Sequence, residues 1–186
     1  GFTRTLAYSS YPKQLLVLSA SGVTVVPPNF DAALAAPTIT SIVNAADGKD
    51  GVAPGGLIRI QGSTLAASTE SAGGSSWPSL LGGACVTINA IPIPLSMVSP
   101  TEITGQLPFA ALGTGAITVR SSNGVSNTYS LKVLRTAPAI FQLLYPQYDL
   151  VVPMVMRAAN GEPVTYANPI HAKDDIEVYF TGGGLV

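Results

Sequence analysis

The sequence predicts an all-β protein, and three observations carry that expectation. Short β-favouring runs of about five to seven residues recur along the 186-residue chain, each closed by Gly, Pro, Asn or Ser. The 15 prolines and 19 glycines are so spread out that no stretch of a dozen residues keeps helical spacing without one. Ser122-Asn123-Gly124 separates two apolar runs, and Asn-Gly is the strongest short hairpin signal a sequence offers.

In chain order, strands are expected near 3–9, 14–20 and 23–27, with "YPKQ" and "ASG" as turns. They make residues 2–36 an N-terminal β-hairpin segment with a third strand and a linker, "NFDAALAAP". "LAY" followed by "QLLVLSASGVTVV" also looks like the closing strands of a β-propeller blade. "FDAALAA" (30–36) and "PFAALG" (108–113) each allow one helical turn. The main unit, 37–135, holds strands near 38–43, 57–62, 84–89, 93–98, 102–107, 115–121 and 127–134. Ile58 and Ile60 alternate with Arg59 and Gln61, which turns one face to a core, and Gly62 permits a bend. "LGGACVTINAIPIPLSMVSPTEITGQLP" supplies three consecutive strands with "NAIP" and "SPTE" as turns. Seven strands in about 100 residues at this turn spacing imply an immunoglobulin-like sandwich.

Residues 136–186 carry strands near 139–144, 152–158 and 175–181. The run "IEVYFTGGGLV" (176–186) echoes "LIRIQGSTLAA" (57–67), and "RTAPAIF" echoes "AAPTIT". This segment therefore reads as the truncated start of a second, partial sandwich whose further strands would follow Val186. Its unpaired apolar edges need partners. They can fold back on the first unit, borrow residues 2–27, or pair with another molecule, which is a route to a dimer.

Charged residues make up 10% of the chain, against about 25% in typical globular proteins. Nine basic and ten acidic side chains give a net charge of -1 with no basic cluster, so nucleic acid and anionic membrane are not expected partners. No apolar run reaches the roughly 18 residues of a membrane span.

Candidate chemistry is sparse, and no cofactor or metal is expected. His171 is the only histidine; it can pair with Asp174 or Asp175, but no nucleophile elbow accompanies it. Asp47 and Asp50 in "ADGKDG" lack the oxygen count calcium needs and read as a turn. The glycines of "APGGL" and "TGGGL" do not precede helices and read as bends. Cys85 is read as a small core hydrophobe, unless Val86 and Ile88 are the inward pair. Trp77, the sole tryptophan, is either a sugar-stacking platform or a lid over the open end of the sandwich; Tyr145, Tyr148 and Tyr166 either extend such a ligand surface or fill an interface between units.

"PTITSI", "GVAPGGLIRIQGSTL", the three-strand run and "TGAITVRSSNGVSNTYSLKV" together resemble the IPT/TIG branch of immunoglobulin-like (E-set) domains. More narrowly, residues 38–184 resemble the Solibacter-type uncharacterised C-terminal domain of secreted acidobacterial proteins. The matching motifs are Ala53-Pro54-Gly55, Ala137-Pro138-Ala139-Ile140-Phe141, Asn168-Pro169, Asp174-Asp175 and Tyr179 to Gly184. Two positions depart: Gly183 stands where the family has Leu, and Ala172-Lys173 where it has Arg-Gly. The resemblance implies a secreted Ig-like module and assigns no functional residue. The expected function is thus a non-catalytic structural or interaction module of a secreted or cell-surface bacterial protein, adhesion-related in type. Its partners would be neighbouring domains of a longer chain and a protein or glycan at the cell surface. The alternative is a carbohydrate- or ligand-binding accessory module of a larger secreted protein.

Overall fold

Alternation becomes burial in the strand Leu57–Ser63, where Ile58 and Ile60 are sealed from solvent while Gln61 faces out. The computed structural model describes residues 5–10, 13–19, 22–26, 35–74, 76–145 and 150–185. Among them there is no helix, and all of the regular structure is β. The chain divides into two units, Gly1–Ala35 and Ala36–Val186.

The first unit is an antiparallel meander of β1 (Thr5–Ser10), β2 (Lys13–Ser19) and β3 (Gly22–Val26). Register sets Leu6 opposite Val17 and Tyr8 opposite Leu15 on one face; Leu16 opposite Val25 and Leu18 opposite Val23 lie on the other. Both faces are therefore apolar. Its turn residues 11–12 and 20–21, and most of the expected helical turn at 30–36, lie outside the described residues.

The second unit opens with β4 (Thr38–Asn44), β5 (Leu57–Ser63), β6 (Glu70–Ser71), β7 (Cys85–Ile88) and β8 (Ile91–Pro92). It continues with β9 (Leu95–Val98), β10 (Glu102–Gln106), β11 (Gly113–Ser121), β12 (Gly124–Val125) and β13 (Tyr129–Val133). One sheet runs β4-β5-β10-β9-β6; the other runs β12-β11-β7-β8, with β13 also paired to β11. Ile58, Ile60, Leu95, Val98 and Ile103 from the first sheet meet Val86, Ile88, Ile117, Val119 and Leu131 from the second in one apolar core. Each such side chain contributes about 1.5–3 kcal/mol of transfer free energy. Asn127 ties the sheets at their edge: its side chain accepts from the Ile39 N–H at 2.8 Å and donates to the Ile39 carbonyl at 3.2 Å.

Two expectations need correction here. The strand expected at 93–98 is shortened to β9, paired with β10, and the second half of the expected turn "NAIP" is a strand of the other sheet, β8, paired with β7. Pro92 and Pro94 bracket the crossing, because neither can donate a ladder hydrogen bond. The turn feeding it, Asn89-Ala90, has both residues at positive φ (49° and 65°), the geometry of a tight primed turn. The run 108–113 is a turn closed by the Ala111 N–H donating to Pro108 O, and β11 already begins at Gly113.

The rest of the unit holds β14 (Ala139–Ile140), β15 (Gln142–Tyr145), β16 (Leu150–Pro153), β17 (Val155–Arg157), β18 (Ile176–Val178) and β19 (Phe180–Thr181). Each of the three expected strands is split, at Phe141, Met154 and Tyr179, because each changes partner there: β14 pairs with β19, β15 with β16, and β17 with β18. The three break points close a ring of backbone bonds. The Phe141 N–H donates to Tyr179 O (2.9 Å), the Tyr179 N–H to Met154 O (3.0 Å), and the Met154 N–H to Phe141 O (2.6 Å).

This strand triangle is fastened to the sandwich. Leu57 N–H donates to Thr181 Oγ1 (2.7 Å), and the buried Asn44 donates through Nδ2 to Ala137 O (3.1 Å). Gly182 approaches so closely that a Cβ there would overlap the Ala137 carbonyl, and its φ of 79° suits glycine alone. Residues 136–186 are thus joined to the first sandwich at Ala137, Thr181 and Gly182.

Candidate functional site

Four chain segments converge beside the first sheet. The ladder of β5 and β10 is extended by Gly55 and Gly56: Gly55 N–H donates to Leu107 O (3.2 Å), and Leu107 N–H to Gly56 O (2.9 Å). Gly55 takes φ 70°, and the space a Cβ would fill holds the Phe109 ring. Gln106 Nε2 donates to Gly55 O at 2.9 Å, which fixes its amide. From the triangle come Phe180, Thr181 and Gly182 to Gly184. From the loop between β6 and β7 comes Trp77, and the adjacent Pro78 pins that loop by accepting from the Leu95 N–H at 2.8 Å. Together with Pro54 and Leu57 they line an open groove of about 730 Å³, and no side chain among its described lining residues is charged.

Of the four aromatics expected to form a ligand surface, Trp77 is half-buried in this groove. Tyr166 is fully exposed on the Thr165–Asn168 turn and is not among the groove's lining residues. Tyr148 and the side chain of Tyr145 lie outside the described residues. The rings that join Trp77 are Phe109 and Phe180, both largely exposed. A legible signal existed for them: each neighbours one of the glycine runs, "APGGL" across the β5–β10 ladder and "TGGGL" directly.

His171 does find Asp174. The His171 backbone N–H donates to Asp174 Oδ2 at 2.8 Å, and Arg157 ion-pairs with the same oxygen at 2.9 Å. Arg157 also donates to the Pro169 carbonyl, and its guanidinium lies 3.2 Å from His171 Nδ1. The Asp174 carboxyl is held below its ordinary range, first by the His171 backbone hydrogen bond and then by the Arg157 charge, against the opposing effect of desolvation. The cluster ties the long loop between β17 and β18 to its own base.

Asp47 caps a turn by accepting from the Lys49 N–H at 3.0 Å. Among the described residues, no group of three or more His, Cys, Asp or Glu side chains is placed to hold a metal ion. Cys85 corrects the core reading: Val86 and Ile88 are the buried pair, and the thiol lies half-exposed on the outer face opposite Arg120. The same outer face carries Thr87 and Thr118, whose hydroxyls meet at 3.0 Å.

No family model and no curated protein matches the chain. Among solved structures it is similar to the gamma-CGTase of the alkalophilic Bacillus clarkii, at 19% identity and a TM-score of 0.40, over 82% of this chain and 19% of that enzyme. The chain thus spans about a fifth of that enzyme's length, and a likeness so loose transfers neither residues nor activity. What stands is an all-β, sandwich-like protein with a neutral aromatic groove.

Proposed function

We propose that this chain is a non-catalytic, immunoglobulin-like interaction module of a secreted or cell-surface protein. Strand order carries the reading. Lettering β4, β5, β7, β9, β10, β11 and β13 from A to G, the first sheet reads A-B-E-D and the second C-F-G, the arrangement of constant-type immunoglobulin domains. Lys173 adds support for the narrower likeness. It sits at φ 77°, at the position where the Solibacter-type domain has glycine, so a glycine-type backbone is kept under a lysine. The charge-poor, Ser/Thr-rich surface agrees with an extracellular setting. The partners we assign are neighbouring domains and a surface protein or glycan.

The test is where the protein resides and whether it turns anything over. An antibody raised against residues 36–186 should label intact cells of the producing organism or their medium. Confinement to the cytosol, or hydrolysis of common ester, peptide or glycoside substrates by the purified chain, would overturn the proposal.

A further inference from the structure

We infer that the groove between Trp77, Phe109 and Phe180 is a binding site for a neutral oligosaccharide. The inference rests on the interaction-module reading and gives that module its ligand class. Volume comes first: about 730 Å³ falls within the roughly 300–1,000 Å³ of small-molecule sites.

Chemistry then narrows the ligand. No side chain among the described lining residues is charged, so an anionic or cationic ligand would shed hydration with no counter-charge from them to meet it. A purely apolar ligand fails for the opposite reason, because two polar groups face the groove in fixed settings. Gln106 spends its Nε2 on the Gly55 carbonyl, which holds the amide in place and leaves Oε1 to accept. Thr181 accepts the Leu57 N–H at Oγ1, which leaves its own hydroxyl hydrogen to donate. Covering these with hydrocarbon would strand a donor and an acceptor. The ligand must therefore present apolar faces to three aromatic rings and neutral hydrogen-bonding groups beside them. A sugar ring does both: its C–H faces lie on aromatic rings while its hydroxyls both donate and accept.

The site is also held ready. Gln106 and Leu57 lie on the central strands of a packed sheet, and Phe109 rests on Gly55. The Phe180 wall is set by Gly182, locked against Ala137. Little ordering remains to be done on binding, which favours affinity.

Because Trp77 is the sole tryptophan, its fluorescence reports on this groove alone. The purified chain would be titrated with cellohexaose, maltohexaose, xylohexaose and mannohexaose, with a polygalacturonate oligomer as anionic comparison and an uncharged apolar peptide as the protein-type comparison. Expected is a saturable change in Trp77 emission with at least one neutral glycan, weakened about tenfold by Phe109→Ala and by Phe180→Ala, as loss of a stacked ring requires. Tyr166→Ala should leave it unchanged. Both phenylalanines are largely exposed, so the variants should keep the parent's melting temperature, and that is measured alongside. No saturable response to any neutral glycan, or a response that survives both ring deletions, overturns the inference; so does preference for the anionic oligomer or for the peptide. Surface location and lack of turnover are read separately, so the module reading can stand when this one falls.

Discussion

The sandwich of 38–133 and the strand triangle of 139–181 are written in the same sequence language and end in different physical states. Both are built of short, β-favouring, apolar-rich strands. In the sandwich the apolar side of each sheet meets the other sheet, and residues such as Ile60, Val86 and Ile117 lose all contact with water. In the triangle Val152 is the one buried apolar side chain among the described residues, while Leu144, Val151, Val178 and Phe180 stay exposed. A β-favouring run specifies a strand, but burial requires a second layer, and among the described residues the triangle's exposed apolar side chains have none. Its order comes instead from a ring of backbone bonds and from glycine contacts with the sandwich.

The sharpest way to break this comparison is to delete the same kind of group in each region. Ile60→Ala should destabilise the protein by about 2–5 kcal/mol, the cost of a large-to-small change in a closed core. Val178→Ala should cost within about 0.5 kcal/mol, as exposed substitutions do. Urea unfolding followed by Trp77 fluorescence measures both. Equal losses would mean that the triangle's apolar side is covered after all.

Next in size is the fastening. Gly182→Ala forces a Cβ into the Ala137 carbonyl at a φ that disfavours side chains, a strain of about 1–3 kcal/mol. The strain should be relieved by releasing the triangle. Hydrogen exchange at the Phe141, Met154 and Tyr179 amides should then speed up while Ile58 and Val119 stay protected. Uniform acceleration across the unit would show that the two regions open together.

The reach of the sequence follows the same division. Strands β5, β7, β10 and β11 were legible because their alternation coincides with the face that is buried, and the hairpin at Asn123-Gly124 was legible because its turn chemistry is local. The crossing at Pro92 to Pro94 was hidden because an apolar run continues unbroken while its pairing partner changes. Phe141, Met154 and Tyr179 hid their partner switches for the same reason: partner choice is a non-local fact. The groove was half visible. Trp77 stood out by rarity, but Phe109 and Phe180 come together only once Gly55 and Gly182 have set their distances.

A smaller effect tests the loop that the triangle carries. Asp174 has its pKa lowered from the ordinary 3.8. A carboxylate with a depressed folded pKa adds stability that is present above its unfolded pKa and lost as pH falls through the folded one. Protection of the β17–β18 amides should therefore be constant near neutrality and fall below about pH 3.8, as Asp174 releases the His171 amide and Arg157. Asp174→Asn should remove that pH dependence. If the wild-type and variant profiles coincide down to low pH, the cluster does not fasten the loop.

The smallest expected change is a gain, and it comes as a pair. Ala90 in the sandwich and Lys173 in the triangle both sit at positive φ, at 65° and 77°. An L-residue there pays about 1–2 kcal/mol, and glycine escapes that strain while adding entropy to the unfolded chain, so replacement should net about 0.5–1 kcal/mol in either region. The readouts should differ, because a stabilised element raises the global unfolding free energy only if it opens with the global transition. Ala90→Gly lies on the β7–β8 turn, whose Asn89 N–H donates to Ala116 O in the central strand β11, so it should move the urea midpoint of the whole sandwich. Lys173→Gly should leave that midpoint in place and slow exchange only in the β17–β18 pair, from Val155 to Val178. A midpoint shift of equal size from Lys173→Gly would show one cooperative unit, with the glycine contacts at Gly182 coupling triangle and sandwich as firmly as a shared core.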